Sequence, residues 1–436
     1  MPMLIKKATI LSPGSKFHLK KKDLLISNGM IQQIADKIET KSKIVIEEKN
    51  LFVSDGWVDV LADFCDPGHE HRETLESGMR AAAAGGYTDV LLLPNTKPGI
   101  SNKAMVEAIR QQSQLVNLHP IGALSKNLEG KDLAEMYDMH FAGAKAFSDG
   151  HLPVQNAGLM LKALQYVKTF NGVIVQIPEE KTLSSHGLMN EGYHAVRLGV
   201  AGKPDIAESI LIQRDLDLLE YTNSQLHFTG VSTKRGIELI RQAKKKGLNV
   251  TCSVNPVHLI FTEEHIGEYN SLFKINPPLR TESDRKALLK ALNDGVIDCF
   301  ASHHLPQDWD AKEVEFEYAA PGMIGLQTML TMMLMLESNL KLEQVVQMLS
   351  ASPRKIFNLP ESSISEGQAA CMNVFSTDQV WLYDKQANQS KSTNSPFMNQ
   401  QVKGQVLAVV NNHQTYRLTQ TSNIKEANLH LKTATK

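Results

Sequence analysis

Between about residue 54 and residue 357, short apolar runs alternate with amphipathic segments along the chain. The runs are Val58–Phe64, Asp89–Pro94, His119–Leu124, Ala142–Ser148, Val173–Pro178, Leu226–Val231, Val250–Asn255 and Asp298–His303. Each has the length of a buried strand and is flanked by polar or turn-forming residues. The segments between them carry helical periodicity, among them Glu73–Ala84, Lys103–Gln112, Ala157–Phe170, Ile206–Thr222, Lys234–Lys246 and Glu282–Asn293. Eight strands with helices between them, over roughly 250 residues, predict an α/β fold of the (β/α)8 barrel type. A doubly wound open sheet is the alternative, but its glycine-rich nucleotide fingerprint is missing after the first strand.

The two ends of the chain follow another pattern. Leu24–Ile34 holds Asn28-Gly29 between apolar runs, the signal of a tight hairpin. Val406–Val410, Asn411-Asn412-His413 and Thr415–Leu418 predict a second one. The strand-like ends are expected to meet as one small composite β-sandwich, 1–53 with 358–436, beside a barrel over 54–357. The Ser/Asn-rich stretch Gln386–Asn399 reads as a surface loop. Met329–Leu336 is far short of a bilayer span and reads as a buried helix.

Composition narrows the partners. Hydrophobic residues make up 42% and charged residues 21%, so a large core is possible. With 46 basic and 47 acidic residues the formal net charge is −1, which gives no electrostatic reason to expect nucleic acid or an anionic membrane. Cys65, Cys252, Cys299 and Cys371 show no paired spacing and read as reduced thiols. The N-terminal residues hold no apolar stretch long enough for a signal peptide, so a cytoplasmic protein is expected.

Active sites of such barrels lie at the C-terminal strand ends, and the motifs there carry a resemblance. Gly56-Trp57-Val58-Asp59 leads to Asp66-Pro67-Gly68, then Glu73-Thr74 and Leu93-Pro94-Asn95-Thr96. Ala146-Phe147-Ser148-Asp149, the segment from Pro153 to Leu159, Val231-Ser232-Thr233, Asn276-Pro277-Pro278-Leu279-Arg280 and the stretch from Glu313 to Gly325 follow. In this order, from about residue 5 to about residue 418, they resemble the class I dihydroorotases of the cyclic amidohydrolase family. The resemblance implies a barrel with a composite β-sandwich. It also implies an ancestral reaction, the reversible closure of carbamoyl aspartate to dihydroorotate in pyrimidine synthesis. In working relatives, one or two zinc ions generate hydroxide and polarise the amide carbonyl.

Carried onto this chain residue by residue, the family's metal pattern is largely missing. The His-x-His positions on strand one hold Leu61 and Asp63, and the substrate-gripping Arg position holds Cys65. The strand-five His is Ile177, the strand-six His is Gly230, and the strand-eight Asp is His303, followed by the retained His304. Strand four carries Asp149-Gly150 where many relatives have two Asp. Lys145 stands where other cyclic amidohydrolases carry a carboxylated lysine, and its simpler reading is as a cation for Asp149 or Asp63. Leucine, isoleucine and glycine side chains offer zinc no lone pair. The leading reading is therefore a protein without metal cofactor and without catalysis. The alternative is an active dihydroorotase or related cyclic-amide hydrolase with an atypical site.

Several residues keep two readings. Asn95, Asn276 and His304 match family positions and could bind a residual ligand, or the asparagines could tie loops together. His69-Glu70-His71 is either a displaced His-x-His metal pair or part of a solvated turn. Asp63 and His303, on neighbouring strands of a closed barrel, would either pair as acid and imidazole or pack separately. By resemblance to family members that lack the metal site, the expected partners are aspartate transcarbamoylase or an active paralogue. A homo-oligomer is also expected.

Overall fold

The computed structural model describes residues 2–40 and 42–418. The chain opens with β1 (Met3–Leu11), β2 (Lys21–Ser27), β3 (Met30–Ala35), β4 (Ile44–Ile46) and β5 (Leu51–Asp55). Asn28 and Gly29 join β2 to β3 with φ of 51° and 71°. Left-handed values at both central residues are what a tight hairpin demands.

The barrel begins at β6 (Trp57–Ala62), β7 (Tyr87–Leu92) and β8 (Asn117–Pro120), hydrogen-bonded in parallel in that order. Its other half is β9 (Ile174–Gln176), β12 (Leu226–Thr229), β13 (Val250–Val254) and β14 (Cys299–Phe300). Between β9 and β12 the chain makes an excursion in which β10 (Met189–Asn190) pairs with β11 (Gly202–Lys203).

The run Ala142–Ser148 differs from its expected strand. Its first residue ends the helix Met136–Ala142, and Gly143 at φ 109° turns the chain out of it. Only Phe147 reaches the ring, bridging Gly122 on one side and Ile174 on the other. A bridge from Ala62 to His304 closes the barrel between its first and last strands. Val60, Leu91, Ile121, Ala146, Val175 and Phe357 belong to one buried cluster with Leu61 and Ile177.

Beyond the barrel come β15 (Met372–Tyr383), β16 (Gln400–Asn411) and β17 (Gln414–Arg417). They join the N-terminal strands in one sheet of order β17-β16-β15-β5-β1-β2-β3, with β4 alongside β1. Both ends of the chain therefore build the composite β-sandwich around Ile5, Leu24, Val53, Met372 and Val374. Residues 419–436 of its expected range lie outside the described residues.

Met329–Met335 is a helix whose first five residues are buried, as its apolar run predicts. The stretch Gln386–Asn399 is no free surface loop. Ser392, Asn394 and Ser395 are buried, and Asn394 Nδ2 donates to the Leu305 carbonyl at 3.0 Å. Polar composition misleads here because Ser392 and Asn394 are satisfied by hydrogen bonds to the barrel and Ser395 by one from the Phe397 N–H. Among the described residues no helix is long and apolar enough to cross a membrane.

Candidate functional site

At the end of β6, Leu61 is fully buried in the apolar cluster. Asp63 follows, and its backbone N–H donates to the His304 carbonyl at 2.9 Å, which extends the barrel closure. Its carboxylate turns back on its own chain: Oδ1 accepts from the Cys65 backbone N–H at 2.7 Å. Cys65 sits at φ 59°, and burial, together with the Asp63 charge, raises its thiol pKa well above the ordinary value.

His303 does not pair with Asp63. Its Nε2 lies 3.0 Å from Thr229 Oγ1, at the end of β12. Burial, with His258, His151 and His227 nearby, pushes its pKa down to about 3, so the ring is neutral at physiological pH. Of the two readings, separate packing holds: Asp63 has a local N–H and His303 a hydroxyl as partner. The same imidazole explains Gly230. A Cβ at Gly230 would stand 2.7 Å from His303 Cε1, and Gly230 has φ 71°. Where the resemblance places a histidine, this chain has a backbone and a void filled by a neighbour's ring.

At the end of β9, Ile177 is buried. Two residues on, Glu179 anchors a polar network. Lys181 Nζ and Lys203 Nζ reach its two oxygens at 2.6 and 2.7 Å, and Ser184 Oγ donates at 2.7 Å. Burial alone would raise this acid, but Lys203, Lys181 and the Asn276 amide outweigh it and hold the pKa at about 2. Asn276 spends both side-chain atoms here, Nδ2 on Glu179 at 3.0 Å and Oδ1 on Lys203 at 2.8 Å. Arg280 and Glu208 stand beside this network. Arg280 bonds Ser232 and Asn190, while Glu208 accepts from the N–H groups of Ser232 and Thr233.

Asn95 is likewise committed. It donates to the Asp149 carbonyl at 3.0 Å and accepts from His151 N–H at 3.0 Å, a loop tie. Asp149 faces the loop after β8, where it accepts from the N–H groups of Leu124 and Ser125. Lys145 is half-buried beside His140 and Arg110. Among the described residues it has no ion pair with Asp63 or Asp149. The cation reading therefore fails, and His140 and Arg110 are the titratable neighbours that bear on it instead.

His304 is buried against Glu73, with its Nε2 3.5 Å from Oε2. Glu73 is itself capped by the hydroxyls of Ser77 and Ser390 and by Lys391 N–H at 3.0 Å. His69 and His71 hold their rings 6.1 Å apart, and the exposed His71 lies 3.6 Å from Asp308. No cluster of three His, Cys, Asp or Glu side chains with metal-binding geometry occurs among the described residues. The donor set at the strand ends does not fit zinc, which needs converging N, O or S atoms. Leu61, Ile177 and Gly230 supply none.

Sequence reasoning missed Arg72, Glu73, His151, Glu179, Lys203 and His258 as mouth residues. Glu73 lies inside the Glu73-Thr74 motif and Glu179 directly follows the run Val173–Pro178, so proximity to a legible segment was their signal. Arg72 and His151 come from loops, Lys203 from the β10–β11 excursion and His258 from the short helix Val257–Ile260, where spacing carries no message.

Comparison with known proteins fixes the family. A family description, "Dihydro-orotase-like", matches residues 51–236. The dihydroorotase of Acetivibrio thermocellus is 37% identical over 410 residues, covering 93% of this chain and 96% of its own. The chain belongs to the dihydroorotase-like family. The dihydroorotase of Ruminiclostridium cellulolyticum is 38% identical over 403 residues, covering 91% of this chain and 94% of its own. The solved L-hydantoinase (dihydropyrimidinase) of Arthrobacter aurescens superposes with a TM-score of 0.78 at 24% identity, covering 93% of this chain and 94% of that one. That likeness concerns the fold. The relatives' names lend no support to a loss of activity, and on this point they favour the alternative reading.

Proposed function

We propose that this dihydroorotase-like chain serves pyrimidine biosynthesis as a structural or regulatory homologue and not through metal-assisted ring hydrolysis. The observation that carries the reading is the occupancy of the strand ends. Leu61 and Ile177 belong to the apolar core, and the ring of His303 fills the space a side chain at 230 would need. Zinc and other metal cofactors have no place in this reading, because a metal-bound hydroxide requires ligands that these residues cannot supply. Its partners would be aspartate transcarbamoylase or an active paralogue, with a homo-oligomer as the working form.

A second reading is an active dihydroorotase, or a related cyclic-amide hydrolase with an atypical site. It is supported by curated dihydroorotases 37% identical over 93% of this chain, and those names favour it over the first. One preparation separates the two. Freshly purified protein is analysed for bound zinc and then assayed for ring opening of dihydroorotate. Substoichiometric zinc with no turnover above buffer is expected. Stoichiometric zinc with turnover would overturn the first reading and install the second.

A further inference from the structure

Tyr137 and Phe141 stand one turn apart on the helix Met136–Ala142, and both are turned to solvent, Phe141 with 68% of its surface exposed and Tyr137 with 45%. Their ring centroids are 4.6 Å apart. The seam continues onto Phe170, just past the helix Ala157–Lys168. Tyr137 lies 5.9 Å from that ring, His140 4.7 Å and Tyr166 6.0 Å. Burial and the nearby Lys145 charge hold the His140 pKa below its ordinary value, so this ring is neutral at physiological pH. Five aromatic rings from two neighbouring elements thus form one contiguous uncharged surface. The core does not need Tyr137 and Phe141, because Met136 and Met139 already fill the buried face of their helix. Exposed rings gathered in this way mark the centre of a protein interface.

The charges beside the seam say what covers it. Glu135 and Asp138 are exposed on the Tyr137 side. Lys162 is exposed on the other side, one turn before Tyr166. None of the three has an ion-pair partner among the described residues. A rim of one sign would repel a second copy and ask for an oppositely charged partner. Here the signs are divided, acid on one helix and base on the other. A two-fold axis through the rings brings the acidic helix of each copy against the basic helix of the other, so every favourable pair occurs twice.

We propose that this aromatic seam is an isologous interface between two copies of the chain, centred on Tyr137 and Phe141, with Asp138 of each copy facing Lys162 of the other. The inference gives a surface to the homo-oligomer of the reading above and rests on it. A dimer held through another surface would end the inference and leave that reading standing, whereas a monomer would end both.

The test is the oligomeric state of the full chain, followed by sedimentation velocity over a range of protein concentrations. A dimer is expected for the wild type. Phe141→Asp is expected to weaken it about thirtyfold or more, the loss of a central interface residue. Asp138→Lys is expected to weaken it about tenfold, since two rim pairs become repulsive at once. Combining Asp138→Lys with Lys162→Asp restores opposite signs across the axis and is expected to bring the dimer back, a recovery that damage to the fold cannot imitate. Tyr193→Asp, at a ring 73% exposed in the excursion between β9 and β12, is expected to leave the dimer intact. A wild-type monomer, undiminished dimerisation in Phe141→Asp, no recovery in the double charge exchange, or dissociation by Tyr193→Asp would each overturn the proposal.

Discussion

Gly230 and His303 share one volume, and that sharing has consequences for any attempt to restore the site. A Cβ at 230 stands 2.7 Å from the His303 ring on a backbone at φ 71°. Replacing Gly230 by His, the residue the resemblance expects, therefore meets a steric clash and a left-handed backbone together. Overpacking and unfavourable φ each cost about 1–3 kcal/mol. Gly230→His alone is expected to lower the unfolding free energy by at least about 1 kcal/mol, read by chemical denaturation, and unchanged stability would refute the argument. At this scale the sequence was informative about identity and silent about partners. Leu61, Ile177 and Gly230 could be placed because ordered motifs flank them. The Asp63–His303 pair could not be judged, since a carboxylate satisfied two residues on by Cys65 N–H looks the same in sequence as a free one.

Between elements, the segment Gln386–Asn399 matters more than its composition suggests. Asn394 donates to the Leu305 carbonyl and accepts from Gln307 N–H, while Ser392 Oγ donates to the Arg72 carbonyl. The sandwich side of the chain thus reaches over the barrel mouth and fixes the loops that carry Arg72 and Gln307. Asn394→Ala removes two hydrogen bonds and leaves a buried carbonyl and N–H exposed to that loss, a cost of about 1–3 kcal/mol. Faster hydrogen exchange across residues 386–399 and 305–307 is the expected signature, and an unaltered exchange pattern would show that the segment is held by something else. This is also where pattern reading reached its limit. Period and run length found seven of the eight barrel strands, but Ala142–Ser148 has the apolar content of a strand while its first residue completes a helix. The run from Gln386 looked solvated because Ser and Asn are counted as polar, whether or not the barrel satisfies them.

At the scale of the molecule, a buried ionic cluster ties the last helix of the barrel, Ala351–Ile356, back to its first strands. Arg354 Nη2 meets Asp89 Oδ2 at 2.6 Å and the Gly56 carbonyl at 3.1 Å, and His119 holds the other oxygen of Asp89 at 2.8 Å. Asn373 and Asn411 add bonds from the C-terminal strands to Gly86 and Thr88 of the barrel. Arg354→Met strands part of a buried carboxylate, and a loss of about 3 kcal/mol is expected. Equilibrium denaturation would reveal it as a lowered midpoint; a midpoint equal to wild type would count against the cluster's contribution. Motifs along the whole chain made the fold legible, but these joints bridge residues some 265 apart in sequence and carry no local pattern.

The composite sheet also imposes an order in time. β5 lies between β1 and β15, and its pairing with β15 runs from Leu51–Ser376 to Asp55–Met372. On the ribosome, the edge of β5 is completed early, yet the strand that covers it emerges only after the entire barrel has been made. Until then, Leu51, Phe52 and Val53 present an unpaired strand edge, the feature by which nascent chains pair wrongly with one another. Completion of the last strands is thus the step that removes this chain from the pool of aggregation-prone intermediates.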